Sequence, residues 1–212
     1  SESWNRAVSM IFELVLATHN RHKAAELIQL LGGLGVTIRT LDEFSEAPEV
    51  VEDGDTCEAN AVKKACAIAE YTGLPAVADD TGLEVDALGG RPGVYAARYA
   101  GEGATYEDNC RKLLRELMGV PREQRTARFL TVAALALPSD GIRVVRGTLD
   151  GLIAEEASGT AGFGYDPVFL IPELGMTLAQ LSADHKNRIS HPANAFTKMR
   201  EIVKRLGQPS FV

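Results

Sequence analysis

Short apolar runs alternate along the chain with amphipathic stretches, the pattern of strands interleaved with helices. Ile11 to Ala17 is largely apolar and predicts a strand. Thr18 to Lys23 follows as a polar turn opening a helix of about Arg21 to Leu31, with Ala24, Leu27, Ile28 and Leu31 at helical spacing and Gly32-Gly33 ending it. Val36 to Thr40 reads as a second strand, and Leu41 to Asp55 as an acidic, proline-containing loop before a helix over Cys57 to Thr72. The run from Pro75 to Ala78 predicts a buried strand driving into two adjacent carboxylates, Asp79 and Asp80. Thr81-Gly82 is expected to turn the chain before Leu83 to Val85 resumes an alternating strand.

Leu88 to Tyr99 is punctuated by glycine and proline and reads as a loop, in which Arg91 and Arg98 either meet phosphate or, the favoured reading, are ordinary surface charges. Thr105 to Met118 predicts a helix with Leu113, Leu114 and Leu117 inside and Asn109, Lys112, Arg115 and Glu116 outside. Thr126 to Leu137 and Ile142 to Ile153 are long β-rich runs joined by Pro138-Ser139-Asp140-Gly141, a hairpin. Asp184 to Pro192 reads as a polar loop before a closing helix of about Ala193 to Leu206. The order implies an α/β chain, more parallel in its first part and antiparallel in its second.

Composition narrows the function classes. The 212 residues, 45% hydrophobic and 24% charged, suit a globular protein with one sizeable core or two small lobes. A net charge of −7 argues against a general nucleic-acid binder, which needs a basic footprint, but leaves room for a single nucleotide met by a few lysines and a metal. Cys57, Cys66 and Cys110 are odd in number and lack metal-ligand spacing, and are expected as reduced thiols of a cytoplasmic protein. No apolar run approaches a membrane span, so no membrane partner is expected. Residues 1–10 lack periodicity and read as a leader, disordered or vector-derived, ahead of one two-lobed domain over 11–212.

Three stretches carry candidate chemistry. Neighbouring side chains on a strand point to opposite faces, so one of Asp79 and Asp80 can face a cleft while the other holds backbone or a basic partner. Acids at a strand end suit a divalent cation and a water to be deprotonated, and equally suit a simple turn. The turn from Thr18 into the first helix offers unpaired amides and the positive helix end to an anion, with Lys23 as a mobile charge; the alternative is a capped helix with a solvated basic turn. Gly162-Phe163-Gly164-Tyr165-Asp166 lets backbone approach a ligand beside an aromatic face, or forms a β-turn with a core aromatic.

Taken together and in order, these segments resemble the inosine triphosphate pyrophosphatases over nearly the whole chain from Ile11. The resemblance rests on Leu16 to Asn20 with Lys23, Ala78 to Leu83, Leu88-Gly89-Gly90 with Pro92-Gly93, Gly162 to Pro167, and Lys186 with Ile189-Ser190-His191. It implies an elongated mixed β-sheet with flanking helices, two lobes around a nucleotide-binding cleft, and a homodimer. It also implies Mg²⁺-dependent hydrolysis of deaminated purine nucleoside triphosphates (ITP, dITP, XTP) to the monophosphate and pyrophosphate. On that resemblance Asp80 is the general base and a Mg²⁺ ligand, with Glu52 as the second metal carboxylate. Thr18, His19, Asn20, Arg21, His22 and Lys23 hold the triphosphate with Lys186; Thr81 touches the substrate; Phe163, Gly164, Tyr165 and Asp166 frame base and sugar; His191 sits on the base.

Two departures stand out. Ser190-His191-Pro192 replaces the family's Ser-His-Arg, removing an arginine and a backbone donor near the purine. Ala59-Asn60-Ala61 replaces Glu-Asn-Ala, which leaves open which glutamate assists the metal. A nucleotide-binding regulator without turnover and a phosphohydrolase of broader nucleotide specificity are the alternative readings.

Overall fold

The computed structural model describes residues 12–207. The expected leader over residues 1–10, and Ile11 at the head of the first strand, lie outside them. In chain order the elements are β1 (Glu13–Leu16), α1 (Arg21–Leu31), β2 (Thr37–Thr40), α2 (Cys57–Thr72), β3 (Ala76–Val85), β4 (Pro92–Gly93), α3 (Tyr106–Glu116), β5 (Thr126–Leu137), β6 (Gly141–Ile153), β7 (Phe169–Ile171), β8 (Met176–Thr177), α4 (Ala183–Ile189) and α5 (His191–Leu206). One mixed sheet runs β2-β1-β3-β5-β6-β7-β8, with β4 added beside β3. β1 is parallel to β2 and β3, and every later pairing is antiparallel. The expected change from parallel to antiparallel therefore happens within a single sheet, at β3.

Both faces of the sheet's first half are covered, which is why β1 reads as an uninterrupted apolar run rather than an alternating one. Leu14 and Leu16 point into a core with Leu27 and Leu31 of α1 and Phe196, Met199 and Val203 of α5. Val15 and Ala17 point the other way, toward α2. There the contact is made of small side chains: Ala61, Ala65 and Ala69 of α2 lie over Ala76, Ala78, Ala134 and Ala136 of β3 and β5, so helix and sheet approach closely. Full burial of residues such as Leu27 and Phe196 contributes roughly 1.5–3 kcal/mol each. A separate core joins Cys110 and Leu113 of α3, and Leu117 just after it, to Leu83, Val85, Phe129, Ile153 and Phe169, and forms the second lobe.

Local signals set the helix ends. Asn20 caps α1, its Oδ1 accepting from the amides of His22 and Lys23 at 3.0 and 3.1 Å. Thr56 caps α2 by accepting from the Ala59 amide, and Gly73 ends that helix at φ 70°.

The structure corrects the sequence-based expectations in three places. Thr81-Gly82 does not turn; β3 continues through it, pairing Thr81 with Thr131 and Gly82 with Leu130. Gly82 is there for close packing, since a Cβ would lie 3.0 Å from both Cys57 Sγ and Gly93 O. Asn109, expected outside α3, is buried, and so is part of its lobe's interior. The polar stretch from Asp184 is helical rather than loop: α4 runs to Ile189, Ser190 closes it in extended conformation, and α5 begins at His191. Among the described residues no helix is long and apolar enough to cross a membrane, and the three cysteines are free.

Candidate active site

β3 carries the site. Its alternation sends Asp79 to the same face as Val77, toward α1, and Asp80 to the same face as Ala78, toward α2. Asp79 is buried and its Oδ2 accepts from Lys23 Nζ at 2.8 Å. Burial alone would lower the Lys23 pKa, but the Asp79 charge and hydrogen bond hold it above the ordinary lysine value. Among the described residues Asp80 forms no ion pair. Its Oδ2 accepts from Asn60 Nδ2 at 3.0 Å and its Oδ1 from the Thr81 amide at 3.0 Å. Burial raises the Asp80 pKa above the usual carboxylate value, against the hydrogen bond from Asn60 and the charge of Lys64.

These groups open on one cleft of about 340 Å³. Thr18, Asn20 and Lys23 line it from the turn into α1, Glu52 from the acidic loop, and Asp80 and Thr81 from β3. Phe163, Gly164, Tyr165, Asp166, Lys186 and His191 line it from the second half of the chain. His19 and Arg21 instead border a shallow depression beside α1, and His22 is exposed outside both. The reason is helical geometry: with Asn20 turned inward as the cap, only every third or fourth neighbour shares its side. His19 Nε2 lies 3.2 Å from Pro48 O.

The aromatic end is built differently. Phe163 is 52% exposed, and the Lys186 ammonium lies 4.3 Å from its ring centroid while bonding Asp166 Oδ2 at 2.5 Å. The same Asp166 oxygen accepts from the Phe163 amide at 3.1 Å, which fixes the glycine-flanked loop. Tyr165 is buried and donates its hydroxyl to Ala96 O at 2.6 Å. His191 stacks on Phe129, centroids 4.6 Å apart and planes within 13°. Burial, with help from the Lys23 and Lys186 charges, pushes its pKa down to about 3, so the ring is neutral. Among the described residues its buried Nδ1 has no hydrogen-bond partner, a polar atom left for a ligand.

The donor set suits a hard divalent cation. Asp80 and Glu52 offer carboxylate oxygens on one cleft, and Mg²⁺ commonly takes one or two carboxylates and completes its shell with water and substrate phosphates. Glu52 pairs with Lys64, whose ammonium also donates to Asp79 O, each at 2.5 Å. Among the described residues no three His, Cys, Asp or Glu side chains cluster as a self-sufficient metal cage.

Several lining residues escape a reading of the sequence alone. Asn60 and Lys64 share the inward face of α2 with Cys57, Ala61 and Ile68, and a polar residue on an apolar stripe was the available signal. Glu26, one turn after Lys23 on α1, also lines the cleft, and burial raises its pKa. Tyr106, Asn109 and Phe129 arrive only through tertiary packing, and Arg98, for which the sequence favours a surface position over a phosphate contact, lines the cleft as well.

The chain is similar to known proteins over most of its length. Residues 14–202 match the Ham1 family. The chain is 52% identical to a dITP/XTP pyrophosphatase of Geobacillus kaustophilus over 189 residues, 89% of this chain and 93% of that protein. It is 50% identical to a dITP/XTP pyrophosphatase of Desulforamulus reducens, over 92% of this chain and 96% of that one. A HAM1 protein from Coxiella burnetii superposes with a TM-score of 0.85 at 39% identity, covering 92% of this chain and 99% of its own. A match that spans both lobes and every wall of the cleft leaves one assignment: this chain belongs to the Ham1 family.

Proposed function

We propose that the protein is a nucleoside triphosphate pyrophosphatase that hydrolyses deaminated purine nucleoside triphosphates, ITP, dITP and XTP, to the monophosphate and pyrophosphate. The relatives' activity toward dITP and XTP supports the substrate class. The observation that carries the chemistry is the division of labour on β3: Asp79 forms an ion pair with Lys23, while Asp80 faces the cleft and, among the described residues, forms none.

In this reading the oxygen of a water bonds to phosphorus, the bridging P–O bond breaks, and pyrophosphate leaves. Asp80 accepts the water's proton, a task suited by its raised pKa. Asn60 holds the carboxylate in place by its hydrogen bond and is itself fixed by accepting from the Gly54 amide at 2.8 Å. Lys23 and Lys186 meet the phosphates, and Thr18 and Asn20 shape the turn beneath them. Asp80 and Glu52 would hold Mg²⁺, which when bound neutralises phosphate oxygens and lowers the pKa of a coordinated water. The base lies against Phe163, and the unpartnered Nδ1 of neutral His191 offers it a hydrogen bond. Homodimer formation, as the resemblance implies, and a cytoplasmic location, in keeping with the unpaired cysteines, complete the proposal.

The test is a product assay with Mg²⁺ on ITP, dITP, XTP, GTP and ATP that separates pyrophosphate from orthophosphate. Pyrophosphate from the first three and little from GTP or ATP is the expected result. Equal turnover of all five would discard the selectivity. Nucleotide binding without pyrophosphate would replace the enzyme by a regulator.

A further inference from the structure

Four cationic side chains line the cleft: Lys23, Lys64, Arg98 and Lys186. Three of them already carry a carboxylate, Lys23 with Asp79, Lys64 with Glu52 and Lys186 with Asp166. Arg98 differs. Among the described residues it makes no ion pair or side-chain hydrogen bond, and its guanidinium lies over the Tyr95 ring, 5.0 Å from the centroid. A half-buried arginine without an anion, facing a site for polyanions, is a cation awaiting one.

Its backbone is held firmly. Arg98 closes a short helical turn, Ala96–Arg98, whose flanking groups are pinned from two elements. Tyr165 Oη donates to Ala96 O at 2.6 Å, Asn109 Nδ2 to Ala97 O at 3.0 Å, and Lys112 Nζ to Tyr99 O at 2.8 Å. Asn109 Oδ1 accepts from the Ala100 amide at 2.8 Å. β4, just before this turn, pairs with Leu83 and Glu84, and Gly93 O packs on Gly82, so the turn is docked beside the part of β3 that carries Asp80 and Thr81. Such pinning places a side chain for a contact and is unneeded for a solvated charge.

We propose that Arg98 contacts the phosphate chain of the substrate, its planar guanidinium bonding phosphate oxygens beside the reacting bond. This rests on the pyrophosphatase reading and extends it by a positively charged residue on the turn that α3 and Tyr165 pin.

The experiment compares wild type, Arg98→Ala and Arg98→Lys on ITP and XTP with Mg²⁺. Arg98→Ala is expected to lower kcat/KM by about 10- to 100-fold, by the same factor for both bases, with an unchanged melting temperature. Arg98→Lys should recover part of the loss, since it keeps the charge without the fork. Guanidinium chloride, well below unfolding concentrations, should partly restore Arg98→Ala and leave wild type unchanged. Unaltered kcat/KM overturns the proposal, as does a loss confined to one base or a loss without rescue accompanied by a lower melting temperature. Should wild type release no pyrophosphate, the enzymatic reading fails separately. Calorimetric titration of ITP then decides the contact, equal Kd values for wild type and Arg98→Ala overturning it.

Discussion

Lys23 and Asp79 form an ion pair at 2.8 Å across the α1–β3 contact, with the carboxylate side chain 4% and the lysine side chain 21% exposed. The pair joins α1, which follows the Thr18–Asn20 turn, to β3, which carries Asp80. Asp79→Asn leaves the ammonium in a desolvated place without its anion. Breaking a buried pair costs about 3–5 kcal/mol, and the lysine's residual access to water reduces this to about 2–3 kcal/mol. Urea unfolding at neutral pH checks it; a loss under about 0.5 kcal/mol would show that the pair contributes little.

Asp80→Asn should have the opposite profile. Burial already makes the Asp80 carboxylate costly in the free protein, so an amide of the same shape keeps stability or raises it slightly. Turnover should fall by at least about 1000-fold, because the substitution removes both roles proposed for Asp80, general base and metal ligand. Substantial residual pyrophosphate release from a folded Asp80→Asn protein would sink the general-base assignment.

The contrast between these two aspartates was legible in the sequence as an alternation, although which of them met the lysine was not. Contiguous segments were readable in the same way: β1 from its apolar run, α1 from its spacing and Asn20 cap, and the β5–β6 hairpin from its long alternating arms. Gly82 misled because glycine in a strand marks close approach as often as a turn, and only the neighbouring Cys57 and Gly93 distinguish the two. Asn60 and Asn109 show the same limit. Each is a polar residue on an apolar helical stripe, bonded to a partner 20 and 12 positions distant respectively, and a periodicity read along one helix does not see that partner. Arg98 enters the cleft for the same reason, because its turn is positioned by α3 and Tyr165.

His191 gives stability a specific pH dependence. In the unfolded chain a histidine titrates near about 6.5. In the folded protein burial, reinforced by Lys23 and Lys186, holds it down to about 3. Between those values the unfolded chain binds a proton that the folded one does not. The neutral ring's contribution is therefore complete above the unfolded pKa and is lost as pH falls below it, with a slope approaching about 1.4 kcal/mol per pH unit. From pH 7 to pH 5 wild type should lose about 2 kcal/mol more than His191→Gln in urea unfolding. Carboxylates common to both proteins cancel in this comparison, so equal losses would reject the assignment.

Gly147 links the sheet to that histidine. It sits opposite Thr131 in the β5–β6 register, and a Cβ there would lie 2.2 Å from Ala195 N and 2.4 Å from His191 O, both backbone atoms of α5. The helix cannot yield locally, because Asn194 Nδ2 bonds Thr148 O at 2.8 Å and Lys198 Nζ bonds Arg146 O at 2.7 Å on either side of the contact. Elsewhere a glycine-to-alanine change commonly stabilises by about 0.4–1 kcal/mol through the unfolded chain. At Gly147 overpacking should reverse the sign and cost about 1–3 kcal/mol. Because α5 must lift at its first turn, His191 moves with it, and kcat/KM should fall as well. Gly147→Ala with wild-type urea stability would mean that α5 rests less tightly on β6 than these distances require.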